Sequence, residues 1–427
     1  MSDRIVDPSL WHEGQAKIEW ASRFMPVTRS VAAQLKESGS VAGKRIALVL
    51  VLEPKTANLA LELAAAGADV SVMCGASNTR DDTAAALERA GVAVFARSDA
   101  SPQQDRDFAL RLLDGRPDIL VDDGSSVTRL AHTERPGVLD GLIGATEETT
   151  SGLRPLRVME RSGELRIPVL AVNDARCKTL FDNGYGTGQS TLFTMLDLLT
   201  VPLDRSHVVV AGFGHVGRGF AKHAAALGAR VTIAEVDPVR ALEAVFAGYA
   251  VDTLEHAAST ADLLVSATGI AHTIDVQHVL ALPEGAAVAV AGGVDQEIAI
   301  DALVDAGASR RSVAHAVERF TLPNGRSVLV LDDGDCINCS AGEGNPIEIM
   351  DLSFGVQASA VDYLARSGAE LGNAVHLIPA EVDDRVARAK LASLNARIDV
   401  TSAAQRRFLD SWQHTGRRAK AAEGSDA

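Results

Sequence analysis

The 427-residue chain contains no uncharged apolar run of about 18 residues, and its first residues lack the basic-then-apolar pattern of a secretory leader. Neither a membrane span nor export is expected, so the sequence predicts a cytoplasmic protein. Only four cysteines occur, too few for a disulfide framework in so long a chain, which fits a reducing compartment. Cys336 and Cys339 form one CxxC pair, but neither Cys74 nor Cys177 supplies the second pair that a zinc site normally requires, and no metal is expected. Positive charge is also scarce. The 41 lysines and arginines stand against 56 aspartates and glutamates, and the net charge of −15 argues against a nucleic-acid partner. Aromatics make up only 4%, but 47% hydrophobic and 23% charged residues exclude disordered and fibrous classes. No internal repeat of roughly 20–50 residues and no low-complexity tract is present.

What is present is an alternation. At about 150 residues per domain the length allows two or three domains. Short β-rich apolar runs at Ile46–Leu52, Val70–Met73, Val92–Phe95 and Ile119–Val121 alternate with helical patterns such as Lys55–Ala66 and Asp82–Ala90. A second series runs Val208–Gly212, Arg230–Glu235, Leu263–Ala267 and Ala287–Ala291. Such alternation is the signature of βαβ units and a parallel sheet. Between the series, Thr146–Gly152 and Asn173–Ser190 are polar and glycine-rich, which predicts loops and helix caps. Helices are expected again over Ile347–Ser367 and Asp383–Leu394, with a frayed polar end at Thr415–Ala427.

The second series opens with Gly212-x-Gly214-x-x-Gly217, directly after an apolar strand and at the start of an alanine-rich helix. Gly212 permits the tight turn, Gly214 lets a pyrophosphate approach the backbone, and Gly217 allows close helix–sheet packing. Glu235, about twenty residues on, is placed to accept the adenosine ribose hydroxyls and repel a 2′-phosphate, which selects NAD. Arg240, five residues further, is of a kind that can accommodate a 2′-phosphate, so NADP is the minor alternative.

Beyond this motif the chain resembles the S-adenosylhomocysteine hydrolase family. The likeness runs through Ile18–Ala21, Met25-Pro26, Asp122–Gly124, Glu147–Thr150, Asn173-Asp174, Lys178, Phe181–Asn183, Gly212–Gly219 and Glu235–Pro238. It resumes at Asn338, Ser353-Phe354 and Val375-His376. The resemblance implies a redox-neutral reaction. Tightly held NAD⁺ oxidises a nucleoside 3′-hydroxyl, the C4′ hydrogen becomes acidic, the C5′ substituent leaves, water adds to the 4′,5′-alkene, and the hydride is returned. The chemistry belongs to NAD, while the protein supplies position and proton transfer.

Carried onto this chain, Asp123 matches a carboxylate near the C4′–C5′ edge and Glu148 one that binds the ribose hydroxyls. Lys178 and Asp182 match the pair set against the 3′-hydroxyl and C4′, where a lysine of lowered pKa serves as general base. Asn173 and Asn183 are expected to orient that lysine and the cofactor. Thr149, Thr150, Ser151 and Asn338 join Gly212, Gly214, His215, Val216, Gly217, Glu235, Arg240, Thr268 and Gly269 on the cofactor side. Where the family has active-site histidines, this chain carries Val51, Gly293 and Asn345, and Thr187 stands in place of a cysteine. Glu53 and Lys55 replace a threonine and a glutamate at the purine. Glu53, Lys55, Thr187 and Asn345 are therefore assigned to the substrate.

The expected fold is α/β with two domains, a Rossmann-type NAD-binding domain (residues 188–344) inserted into a discontinuous α/β substrate domain (1–187 and 345–395), followed by a tail (396–427). The residues kept serve 3′-oxidation and C4′ deprotonation; those lost served leaving-group and water proton transfer. The sequence thus predicts a nucleoside 5′-dehydratase or lyase giving a 4′,5′-unsaturated nucleoside in specialised metabolism. The alternatives are an adenosylhomocysteinase and a non-catalytic NAD-binding partner protein. A homo-oligomer, dimer or tetramer, is expected, with a small-molecule nucleoside substrate and no nucleic-acid or membrane partner.

Overall fold

The computed structural model describes residues 3–294 and 296–412. The tail Thr415–Ala427 lies outside the described residues. Two compact units are present, Met1–Lys390 and Leu391–Ala427. In the second, a helix at Ala403–Leu409 is capped by Ser402, whose hydroxyl accepts the Gln405 N–H.

The apolar runs pair into two sheets. The first contains β1 (Arg45–Val49), β2 (Asp69–Met73), β3 (Ala93–Phe95), β4 (Ile119–Asp122), β5 (Gly144–Glu147) and β6 (Val169–Ala171). The second contains β7 (His207–Ala211), β8 (Arg230–Ala234), β9 (Ala250–Val251), β10 (Leu263–Ser266), β11 (Ala287–Val290), β12 (Ser309–Ala314), β13 (Val317–Thr321) and β14 (Ser327–Leu331). After β14 the chain returns to the first sheet as β15 (Val375–Leu377), so one α/β layer is built from both sides of the other. The first sheet is parallel throughout, in the order β15-β6-β5-β4-β1-β2-β3. The second runs β12-β13-β14-β11-β10-β7-β8-β9, and only its β12–β13–β14 edge is antiparallel. That edge carried no clear period-two signal. In β12 every residue is exposed, which removes the apolar face by which such a strand is recognised.

Strands covered on both faces read as continuous apolar runs, and β7 and β10 are buried at every position. In each sheet the order reverses beside the first strand, between β1 and β4 and between β7 and β10, and such reversals open crevices at the carboxyl ends of strands. Asp122 and Glu147 face each other in register at the ends of β4 and β5.

Two expected loops are regular structure. Thr146 and Glu147 belong to β5, and a helix at Thr150–Ser162 follows at once. The segment Asn173–Ser190 is mostly helical: Arg176–Lys178 leads through a π-helical stretch, Thr179–Thr187, into an α-helix over Gly188–Leu198. Its glycines mark close helix crossing rather than a loop. A Cβ on Gly219 would lie 2.1 Å from the Gly184 oxygen, and one on Gly188 would lie 2.7 Å from the Phe220 nitrogen. The site helix therefore rests backbone to backbone on the helix His215–Ala226 that follows the glycine motif. No helix among the described residues is long and apolar enough to cross a membrane.

Candidate active site

The π-helical stretch widens the turn so that Lys178 and Asn183, five residues apart, meet: Lys178 Nζ donates to Asn183 Oδ1 at 2.9 Å. The same ammonium lies 2.7 Å from Asp182 Oδ2 and 3.9 Å from Glu148 Oε1. Asn183 in turn donates to Asn173 Oδ1 at 3.2 Å, and Thr150 Oγ1 donates to that oxygen at 3.1 Å. Glu148 is held from the far side by Ser353 Oγ at 2.6 Å and by the Gln357 amide, both on the helix Ile347–Ser367. All these site side chains except Thr150 are buried, so their charges act in a medium that screens them weakly.

The electrostatics correct one expectation. Burial pulls the Lys178 ammonium down, but Asp182, Glu148 and Asp123 together more than reverse this, and its pKa is raised. Lys178 is therefore a charged donor and not a lysine poised as base. Burial pushes the Asp123 carboxyl up to about 6 against the pull of Lys178, and the Glu148 carboxyl up to about 7 against the same pull. Both are carboxylic acids for part of the time near neutral pH.

Two further buried carboxyls brace the loops. Asp122 accepts the Thr128 N–H and hydroxyl at 2.7 Å each, and Glu147 accepts N–H groups of Gly124, Ser125 and Thr149. Thr149 is absorbed in this bracing: its hydroxyl donates to Glu147 at 2.6 Å and caps the helix Thr150–Ser162 by accepting the Gly152 N–H. Thr150 and Ser151 lie on that helix's first turn. Arg154, also on it, donates to the carbonyl of Gly269, which brings this rim to the loop after β10.

Asn345 joins the two α/β layers. Its amide donates to Asp182 Oδ1 and, at 3.3 Å, to Thr187 Oγ1, while its oxygen accepts from Asn338 Nδ2 and Ser190 Oγ at 3.0 Å each. Gly293, standing where the resemblance puts a histidine, has no room for a side chain. A Cβ there would lie 2.2 Å from Val290 Cγ1 and 2.8 Å from the buried Glu297 carboxylate. Val51 and Asp123 line one cavity of about 410 Å³.

At the glycine motif, Gly212 has φ +96°, and a Cβ on Gly217 would lie 2.0 Å from the Gly212 oxygen. On Gly214 a Cβ would meet only Arg240 Nη1, at 3.9 Å, so a cradle is left open beside a guanidinium. These residues fit a dinucleotide pyrophosphate. Glu235 follows β8 and is fixed by the N–H groups of Phe213, Val236 and Asp237 at 2.7–3.0 Å. His215 begins the next helix, and a Cβ on Gly292 would lie 2.9 Å from Thr187 Cγ2 and 3.8 Å from Val216 Cγ2. Thr268 Oγ1 lies 2.6 Å from Thr273 Oγ1, and Gly269 takes φ +62° in the same turn.

Glu53 and Lys55, assigned to the substrate, also interact with each other and with the helix they begin. They pair with each other at 2.8 Å, Glu53 caps the helix Pro54–Ala65, and Lys55 Nζ donates to the Glu343 carbonyl at 3.0 Å. With Asn345 they line a second cavity, of about 1020 Å³. Sequence reasoning named neither Gln357, Glu297 nor Arg154; their importance is positional, and no motif spacing announces it.

Two family profiles match the chain: "S-adenosyl-L-homocysteine hydrolase" over residues 3–136 and "S-adenosyl-L-homocysteine hydrolase, NAD binding domain" over 183–344. Adenosylhomocysteinase of Thermotoga maritima is 42% identical over 402 residues, 94% of this chain and 99% of that one. The Pyrococcus abyssi adenosylhomocysteinase is 43% identical over 413 residues, covering 96% and 97%. S-inosyl-L-homocysteine hydrolase of Methanopyrus kandleri is 40% identical over 413 residues, with the same coverage.

Proposed function

The chain belongs to the S-adenosyl-L-homocysteine hydrolase family, and on that premise we propose that this NAD-dependent enzyme carries the reaction as far as elimination, releasing a 4′,5′-unsaturated nucleoside. The observation that carries the reading is a cluster of buried Lys178, Asp182 and Glu148 with half-buried Asp123, and with Val51, Gly293 and Asn345 where the resemblance places imidazoles. When bound, NAD⁺ takes the hydride of the 3′-carbon and later returns it. Gly212, Gly214, Gly217, Glu235 and Arg240 would hold its adenosine and pyrophosphate, and Asn338 and Thr187 its nicotinamide end.

The chain's own groups then divide the proton work. Lys178, charged and fixed by Asp182 and Asn183, donates to the 3′-oxygen and stabilises the negative charge that spreads onto it as C4′ is deprotonated. Asp182 is the acceptor at hand for the 3′-hydroxyl proton, which it gives back when the ketone is reduced, and Glu148, pushed up to about 7 and so partly ionised near neutral pH, is the second carboxylate available for the C4′ proton. Hydroxide is a poor leaving group and departs only if protonated, and Asp123, pushed up to about 6, is an acid that can supply that proton. Val51 beside it offers neither donor nor acceptor to a water molecule, and the Asn345 amide holds Asp182 but transfers no proton. The proton-accepting imidazoles of the resemblance are absent, which leaves deprotonated Asp123 as the base for water, and reduction of the 3′-ketone before water adds closes the cycle on the alkene.

Proton NMR of a 5′-hydroxyl nucleoside incubated with NAD-loaded enzyme tests this. Loss of the C4′ proton together with a new pair of vinylic C5′ protons is expected; an unchanged spectrum for a broad nucleoside panel would sink it. A second reading, hydrolysis of a homocysteinyl nucleoside, is favoured by identity near 40% to hydrolases along nearly their full length. Thiol release from S-adenosylhomocysteine or S-inosylhomocysteine would establish it. A purely NAD-binding protein has no physical need for three buried ionisable groups, Lys178, Asp182 and Glu148, held against one another.

A further inference from the structure

We propose that Cys336 and Cys339 are a redox modification site: they form a reversible disulfide that weakens NAD⁺ binding. The pair sits in the turn after β14, where the Cys339 N–H donates to the Cys336 carbonyl at 2.9 Å. One such turn sets the two Cα atoms within the roughly 4.4–6.8 Å that a disulfide spans. Both thiols are free and half-buried, whereas Cys74 and Cys177 are buried.

The two pairs also differ in chemistry. Burial pushes the Cys74 and Cys177 thiols up to about 12, which leaves them inert. The Cys339 thiol donates to the Cys336 sulfur, which the Gly293 and Gly292 N–H groups also face, and this holds Cys336 below the usual thiol range despite its burial. Cys336 is thus the attacking sulfur. A low-molecular-weight disulfide such as oxidised glutathione is the oxidant: the Cys336 thiolate displaces one glutathione thiolate, and Cys339 then displaces the other. Two protein thiols lose two protons and two electrons, and one glutathione disulfide becomes two glutathione thiols.

The sulfur is wired to the site. Cys336 Sγ donates to Asn338 Oδ1 at 2.9 Å, Asn338 donates to Asn345 at 3.0 Å, and Asn345 donates to Asp182, the partner of Lys178. A disulfide removes the hydrogen that Asn338 Oδ1 accepts and leaves two lone-pair-bearing atoms facing each other. Asn338 must then turn away from the position in which the reduced protein presents it to the cofactor. By linkage, bound NAD⁺ must equally oppose the disulfide.

The experiment equilibrates apoprotein and NAD-loaded protein in glutathione buffers of graded ratio, alkylates, and reads the Cys336–Cys339 peptide by mass spectrometry. A disulfide is expected in both, with the midpoint ratio shifted roughly fivefold toward the thiols by NAD⁺, the worth of one hydrogen bond. Cys339→Ser should bind NAD⁺ as the reduced wild type does and, lacking the resolving thiol, stop at the Cys336–glutathione mixed disulfide without forming the Cys336–Cys339 bond. Absence of the disulfide at every ratio, or midpoints that coincide with and without NAD⁺, would overturn the proposal. None of these readings depends on which nucleoside is consumed.

Discussion

Asn345 donates its amide N–H to Asp182, and through that bond the turn after β14 holds the carboxylate that pairs with Lys178 at 2.7 Å. The amide accepts from Asn338 on its other side, so the cofactor layer and the substrate layer share one polar chain. Asn345→Ala leaves Asp182 Oδ1 without that donor. A lost hydrogen bond to a buried charge is worth about 1.5–3 kcal/mol, so turnover should fall at least about tenfold while the protein still folds. Steady-state rates set beside a thermal melt check this; an unchanged rate would show that Asp182 needs no such support.

Asp123 gives a pH signature. Its carboxyl is pushed up to about 6 by burial, and an acid catalyst works only while protonated. Elimination should therefore fall about tenfold for each pH unit above roughly 7, and Asp123→Asn should abolish it with NAD⁺ binding retained. A rate that rises steadily between pH 6 and 9 would assign the acid elsewhere.

The bracing carboxyls make a separate claim about stability. Burial pushes Asp122 up to about 7 and Glu147 well above its usual value, with their mutual repulsion adding to the latter. The folded state thus keeps protons that the unfolded chain releases near pH 4, so stability is greatest at low pH and is lost as pH rises through about 7. The apoprotein's melting temperature should drop between pH 5.5 and 8, and Asp122→Asn should flatten that slope. A wild-type slope of opposite sign, or one shared by the variant, contradicts the account.

Gly214 and Gly217 should separate folding from binding. A Cβ on Gly217 meets the Gly212 oxygen at 2.0 Å, and such overpacking costs about 1–3 kcal/mol, so Gly217→Ala should melt lower even without NAD⁺. On Gly214 the nearest atom is at 3.9 Å, so Gly214→Ala should melt like wild type alone but lose the stabilisation that NAD⁺ confers. Differential scanning fluorimetry with and without NAD⁺ measures both.

The parallel layers and the glycine motif were legible because covered strands are apolar runs and because tight turns demand glycine. The site's logic was less so. The Lys178–Asn183 contact depends on a π-helical stretch, for which no residue period signals, and the glycines of 184–188 read as loop when they mark a helix crossing. The charge state of Lys178 could not be read from its neighbours in sequence, since two of the three carboxylates that fix it come from other strands' ends. The Glu53–Lys55 ion pair and the cap that Glu53 makes were not announced by the sequence pattern, and both residues line the larger cavity. Gly293 looked like a lost histidine, and its closed surroundings show why a side chain is excluded there.

The most direct test of the central claim is mass spectrometry of the NAD-loaded enzyme after incubation, separately, with nucleosides bearing a free 5′-hydroxyl and with S-adenosylhomocysteine. A nucleoside product lighter by one water is expected, with S-adenosylhomocysteine intact. Homocysteine and adenosine from the second incubation, with every 5′-hydroxyl nucleoside returned unchanged, would contradict it.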